Sequence, residues 1–375
     1  MKSGIFLVLA SSVLFAGSGC KKAERDGPLA TTDAVAPLPL RQNPEVLEQL
    51  RKLSEGCTVS IDSASVHSCT NREDSALGDF IRRSRPKDLY ETYASLLTSP
   101  DPRMRAVAVA AAHSSFAYLD EALRKENATE PTASAFLDAL AKNDGLAVRL
   151  AQPAVDFGFM AGRKDRVLSV TDSVNTNARN VAYRGFMQFG RTDVLPKLKE
   201  VAKQPELAAA AVASPRSMSS WTESERAQIC PWIVGYLADP ANTTAAEAGA
   251  TAIKCKDAYV DALQDEGEKR LASKRFEDPF ARVFREICFE LVAGAPGAVS
   301  DSPRCRRNYA FLEKVANDES VAPDVRGMSL WNIYYQRRDK ETLALMRRYE
   351  NHKVFEVAKH AKEAIEALTT TYKLK

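Results

Sequence analysis

The chain has 375 residues, with 52 Lys and Arg against 49 Asp and Glu, and a net charge of +3. So even a balance excludes the strongly basic domain expected of a nucleic-acid binder. In chain order, Lys2 opens a positive start and Ile5 to Ala16 form an apolar run. That run is too short to cross a hydrocarbon core of about 30 Å as a helix. Gly17, Ser18 and Gly19 then supply small residues suited to cleavage, so residues 1–19 read as a secretory signal. Residues 20–42 follow, with Pro28, Pro37 and Pro39 among Ala and Thr and without helical periodicity. They read as a partly extended tether with a reach of about 70 Å. No later stretch holds 18 consecutive apolar residues, so no membrane span is expected after the signal.

The stretch LFAGSGC at residues 14–20 resembles the lipobox of bacterial lipoproteins, with small residues before a Cys and Gly17 where that family usually carries Leu. The resemblance implies cleavage before Cys20 and acylation of Cys20. Lys21 in place of Asp implies, by the family's sorting habit, the outer membrane. Several acyl chains anchor stably where a single one binds marginally. The alternative is ordinary cleavage nearby, which leaves Cys20 a free thiol.

With Cys20 set aside, six cysteines remain: Cys57, Cys69, Cys230, Cys255, Cys288 and Cys305. They fall into three sequence-local pairs, and an exported protein favours disulfides over metal thiolates. The midpoint of Cys230 and Cys255 lies near Asn242, within the turn signal ADPANTT. That of Cys288 and Cys305 lies within GAPGAVSDSP. Each pair is expected to staple the open end of a helical hairpin, contributing roughly 3 kcal/mol on a chain-entropy model. Cys57 and Cys69 flank TVSIDSASVHS, a small stapled loop. A metal site at Cys57, His67 and Cys69 is the competing reading, but no fourth ligand stands at a recognisable spacing.

From residue 43 onward the pattern is helical, and short polar starts recur. They are SPDPRMRAVAVAAA near 99, KNDGLAVRLAQPAV at 142, NTNARNVAYRGFMQFG at 175 and KQPELAAAAVAS at 203. ADPANTTAAEAGATAI follows at 238, FEDPFARVFREICFELV at 276, VAPDVRGMSLWNIY at 321 and YENHKVFEVAKHAKEAIEAL at 349. Starts about 28 to 45 residues apart signal stacked helical repeats. Asp101 before Pro102, and Asp278 before Pro279, are expected to cap helices whose first residue is Pro.

The best of these starts, Asp101 to Ala108, Asp144 to Ala151 and Pro323 to Ser329, resemble the second helix of HEAT repeats. Residues 205–213 lack the Arg, and 240–250 lack both Val and Arg. The resemblance implies an all-α fold, a right-handed α-solenoid of degenerate HEAT-like hairpins over 90–375, with 43–89 as an N-terminal cap region. It also implies a structural role for Arg105, Arg149 and Arg326, in ladders between repeats.

No GxSxG, HExxH, P-loop or GxGxxG motif is present, so no catalytic residue, cofactor or metal is assigned. His113 reads as a packing residue, and the run YYQRRDKE as a solvated face. Aromatic residues gather at Tyr90 and Tyr93, at Trp221 and Trp232, and at Trp331, Tyr334 and Tyr335. Such residues serve either repeat packing or partner binding, and Trp331, Tyr334 and Tyr335 are the partner-binding candidates. The expected function is a non-enzymatic, lipid-anchored envelope scaffold that binds a protein partner and no nucleic acid. A binding module for a small ligand or cell-wall polymer comes second, and a hydrolase with a motif-less site third.

Overall fold

The computed structural model describes residues 39–70, 73–115, 120–255, 257–288 and 302–374; the expected signal, Cys20 and most of the expected tether lie outside them. The described residues are predominantly helical, with one two-stranded antiparallel hairpin among them. Those from Pro39 onward belong to one compact unit.

Helix α1 (Pro44–Gly56) opens where the Asn43 side chain accepts hydrogen bonds from the Glu45 and Val46 amides. It buries Val46, Leu50 and Leu53. The segment after it is not an irregular loop but a hairpin of β1 (Thr58–Ser60) and β2 (Ser65–His67), paired Thr58 with His67 and Ser60 with Ser65. The Cys57–Cys69 disulfide closes its base, with Cα atoms 4.1 Å apart. Both sulfurs are thereby consumed, which removes the thiolates a metal site would need. Helices α2 (Glu73–Ser84) and α3 (Leu89–Leu96) follow, and α1 and the hairpin both pack on α4 (Pro102–Ser115). Arg103 of α4 fastens them by donating to the carbonyls of Ser54 (2.5 Å) and Cys57 (3.4 Å).

The eight repeated starts become eight helices of a single row. After α4 come α5 (Glu121–Asn127) and α6 (Glu130–Ala141), then α7 (Ala147–Met160), α8 (Lys164–Ser173) and α9 (Thr176–Gly190). Next are α10 (Leu195–Val201), α11 (Pro205–Ala213), α12 (Glu223–Val234), α13 (Asn242–Ala252), α14 (Asp257–Ala272) and α15 (Phe280–Val283). The chain closes with α16 (Pro303–Asn317), α17 (Pro323–Gln336), α18 (Lys340–Tyr349) and α19 (Phe355–Thr370). α4, α7, α9, α11, α13, α15, α17 and α19 each pack on the next in that order. In the intervening set, α3 packs on α6, α6 on α8, α12 on α14 and α14 on α16. Ala-rich faces such as Ala106, Ala108 and Ala112, all fully buried, let the row's helices approach closely.

Bonds between neighbouring units carry the same period. Glu130 pairs with Arg163 33 residues on, Asn143 with Asn175 after 32, Arg191 with Glu225 after 34 and Asn242 with Glu277 after 35. Glu313 with Arg348 and Glu319 with Lys353 repeat the interval at 35 and 34. The exposed ion pairs Glu130–Arg163 and Glu313–Arg348 contribute about 0–1 kcal/mol each, and Glu319–Lys353 is more exposed still, so they record the register more than they set the stability.

The expected Asp101 cap forms, since its Oδ1 accepts from the Arg103 amide at 2.8 Å. The three implied ladder arginines behave otherwise. Arg105 donates to the Ser99 carbonyl (2.5 Å) and the buried Arg326 to the Ala316 carbonyl (3.0 Å), each reaching back along its own strip of chain. Arg149 lines a cavity under the hairpin.

The start at 276 departs most from expectation. Asp278 gives its carboxylate to Arg282 (2.5 and 2.7 Å) instead of to a helix end, and regular α-helix covers only Phe280–Val283. The buried Gln336 explains the break. Its Oε1 accepts from the Cys288 amide (3.1 Å) and its Nε2 donates to the Phe284 carbonyl (3.0 Å). Those two groups are each other's partners in an α-helix, so a side-chain amide stands inside the ladder and opens it. Asn308 of α16 supports it, donating to both Phe284 O and Gln336 Oε1 at 3.0 Å.

Both helical disulfides form. Cys230–Cys255 joins the latter part of α12 to the residues beyond α13, with Cα atoms 6.0 Å apart. The midpoint Asn242 is already the first residue of α13, so the turn between the helices lies before the midpoint of the two cysteines. Cys288–Cys305 joins the opened segment to the first turn of α16, at 5.8 Å; its expected central turn lies outside the described residues.

Candidate functional site

α17 carries Trp331, Tyr334 and Tyr335 at the i, i+3, i+4 spacing that places side chains on one face. The structure divides them. Tyr334 is 8% exposed, its ring 4.8 Å from that of Trp331. Burial, aided by nearby Tyr372, raises its hydroxyl pKa. Trp331 is half-buried and leans on His360 of α19, with rings 6.0 Å apart. Trp331 thus serves the α17–α19 contact as well as the surface, while Tyr334 is buried.

Tyr335 is the centre of a second arrangement. The guanidinium of Arg285 lies 5.0 Å from its ring centroid and that of Arg338 lies 5.6 Å away. Arg338 also lies 5.0 Å from the ring of Tyr372 near the end of the chain. Two cations and two phenols thus alternate across a half-exposed surface. Each contact is worth about 0.5–2 kcal/mol according to its exposure. Arg338 Nε is shut from water without a hydrogen-bond acceptor, so the ring faces hold much of that cation.

Arg285, Arg338 and Tyr372 were not among the sequence candidates. Arg338 sits in YYQRRDKE, read there as a solvated face, and the structure splits its two arginines. Arg337 turns to Asp339 (2.9 Å), Glu341 and the Tyr309 ring, while Arg338 turns to the tyrosines. A signal was available in the paired Tyr followed, after Gln336, by paired Arg. Arg285 is 50 residues from Tyr335 and carried none.

The other aromatic clusters are packing. Tyr90 and Tyr93 are fully buried with rings 5.1 Å apart, and Trp221 is 8% exposed. His113 has its pKa lowered, first by burial and then by the charge of Arg149, as suits a packed imidazole. The largest cleft described, about 690 Å³ beside α1 and the start of α4, mixes Arg51 and Arg103 with Glu55 and Asp101 and concentrates neither charge.

Among the described residues no helix is long and apolar enough to cross a membrane. No protein-family model matches this chain, and no curated protein matches it significantly.

Proposed function

We propose that this chain is a lipid-anchored protein of the bacterial cell envelope, acylated at Cys20 and held at the outer membrane. Its body from residue 90 onward is a right-handed, HEAT-like α-solenoid that binds a partner protein without catalysis. The half-exposed array of Arg285, Tyr335, Arg338 and Tyr372 carries the reading. Tyr, Trp and Arg are the residue types that dominate interface energies. The serial row and the bonds one repeat apart favour a repeat architecture, whose surfaces suit extended partners. The six paired cysteines favour an exported address.

Crosslinking in intact cells followed by mass spectrometry tests it. The expected result is one specific envelope protein crosslinked near α17, with recovery reduced about tenfold in Tyr335→Ala, as for the loss of a single hot spot. Recovery of no specific protein, or undiminished recovery with the variant, overturns the reading. Intact-mass measurement of membrane-extracted protein tests the anchor. An acylated chain beginning at Cys20 is expected, and an unmodified chain overturns it.

A further inference from the structure

We propose that the cavity beneath the β1–β2 hairpin binds a medium-chain carboxylic acid of about eight carbons, tail inward and carboxylate on Arg149. Its inner lining is apolar: Leu53 of α1, Ala64 of the hairpin, Leu77 of α2, and Val107 and Ala111 of α4 are all buried. Its polar lining is nearer to solvent, with Ser65 and Arg149 half-buried and Ser114 exposed. The volume is about 220 Å³, smaller than a drug-sized site. A dry apolar cavity of about 150 Å³ holds benzene, so in the same proportion this one holds about eight carbons. An apolar interior with one cation at its mouth matches a chain that ends in a carboxylate.

The void has a structural cause. Val107, Ala110, Ala111 and Ser114 stand at i, i+3, i+4 and i+7 on α4, one stripe turned to the hairpin, and three of the four are too short to fill the space. The roof is held from falling in. The Cys57–Cys69 bridge closes the base of the hairpin, and Arg103 ties the Cys57 carbonyl to α4. At the other end, the Asp62 carbonyl abuts Gly145 so closely that a Cβ there would clash. The charge at the mouth is uncommitted. The Arg149 guanidinium has no hydrogen bond or ion pair among the described residues, none of which lines the cavity with a carboxylate. His113 has its pKa lowered, first by burial and then by the charge of Arg149, so it stays neutral and supplies no countercharge. A guanidinium fork matches a carboxylate through paired donors. The free acid is favoured over the carboxyl end of a peptide, whose amides would find only the hydroxyls of Ser65 and Ser114.

Calorimetric titration of the whole chain from residue 20, carrying Cys20→Ser and with its three disulfides formed, provides the test without competing acyl groups or detergent. Octanoate is expected to bind with a Kd below about 1 mM, at least about tenfold more tightly than butyrate or octanol. Arg149→Gln strands no partner. It should keep the thermal midpoint of the parent and bind octanoate about tenfold more weakly, no better than octanol. Ala110 is half-buried in the lining, so Ala110→Leu extends into the void. It should weaken octanoate about tenfold without lowering the midpoint. No binding of octanoate at about 5 mM, octanoate no tighter than octanol in the parent, undiminished binding in either variant, or tighter binding of N-acetyl-leucine than of octanoate overturns the proposal. The outcome is independent of the α17 array and of the protein-partner reading.

Discussion

Asp156 is a carboxylate with no exposure, placed by α7 between Val155 and Phe157 in the core. Neither of its oxygens has a well-formed hydrogen bond. Burial raises its pKa well above the ordinary carboxyl range, while the charge of Arg124 and an approach from Gln152 oppose that rise. The folded state therefore holds a proton that the unfolded chain releases above about pH 4. Stability from this residue is full below that value and declines as pH rises towards the folded pKa. Asp156→Asn keeps the shape and removes the charge. The variant is expected to melt within about a degree of the parent near pH 4 and several degrees above it near pH 8. Equal melting at both values, measured by circular dichroism, would contradict this account. A lone acid inside the apolar run PAVDFGF was visible in the sequence, but nothing local tells a buried carboxylate from one that turns outward. That depends on α5 and α9, which the run does not mention.

At the level of elements, close approach between α17 and α19 depends on Gly327. A Cβ there would lie 2.6 Å from the Glu356 carbonyl oxygen and 2.7 Å from His360 Cδ2. The Glu356 backbone cannot swing aside, so Gly327→Ala should cost about 1–3 kcal/mol, read as a lower urea midpoint. Gly185→Ala is the contrast. Its Cβ would meet only Asp156 Oδ1 at 3.8 Å, and helix propensity alone predicts a gain of up to about 1 kcal/mol. Helix starts were the most legible feature of the sequence, because caps and first-turn prolines act within four residues. Asp101, Asn175 and Ser302 each cap where they stand. The shortness of α15 was not legible, because the residue that opens the ladder, Gln336, lies 52 positions from the carbonyl it takes. The tyrosines of α17 were legible as a cluster, and Arg338 could have been read beside them, while their other cationic partner Arg285 required the fold.

For the whole molecule, the row of helices places neighbours in sequence beside one another in space. Arrays of this kind unfold by segments when their units differ in stability. Trp221, Trp232 and Trp331 all lie beyond α11, whereas helical signal comes from both ends. Tryptophan fluorescence and far-ultraviolet dichroism should therefore give unfolding transitions in urea that do not superimpose. Coincident curves would indicate a single cooperative block instead. The period of the starts anticipated the row, since stacking repeats a local pattern. Ladders between units were anticipated at Arg105, Arg149 and Arg326, but the bonds that tie unit to unit fall on other residues, which share no common motif.

The three disulfides have a consequence for how the chain matures. Each bridge joins two cysteines with no other between them. Oxidation in order of emergence thus yields the native pattern without reshuffling, provided that counting begins at Cys57. A free thiol at Cys20 would shift that order by one, favouring Cys57 as its mate and mispairing everything behind it. An acyl group on Cys20 would remove it from the sequence of encounters. A modification that fixes the protein in place would then also protect the accuracy of its oxidative folding.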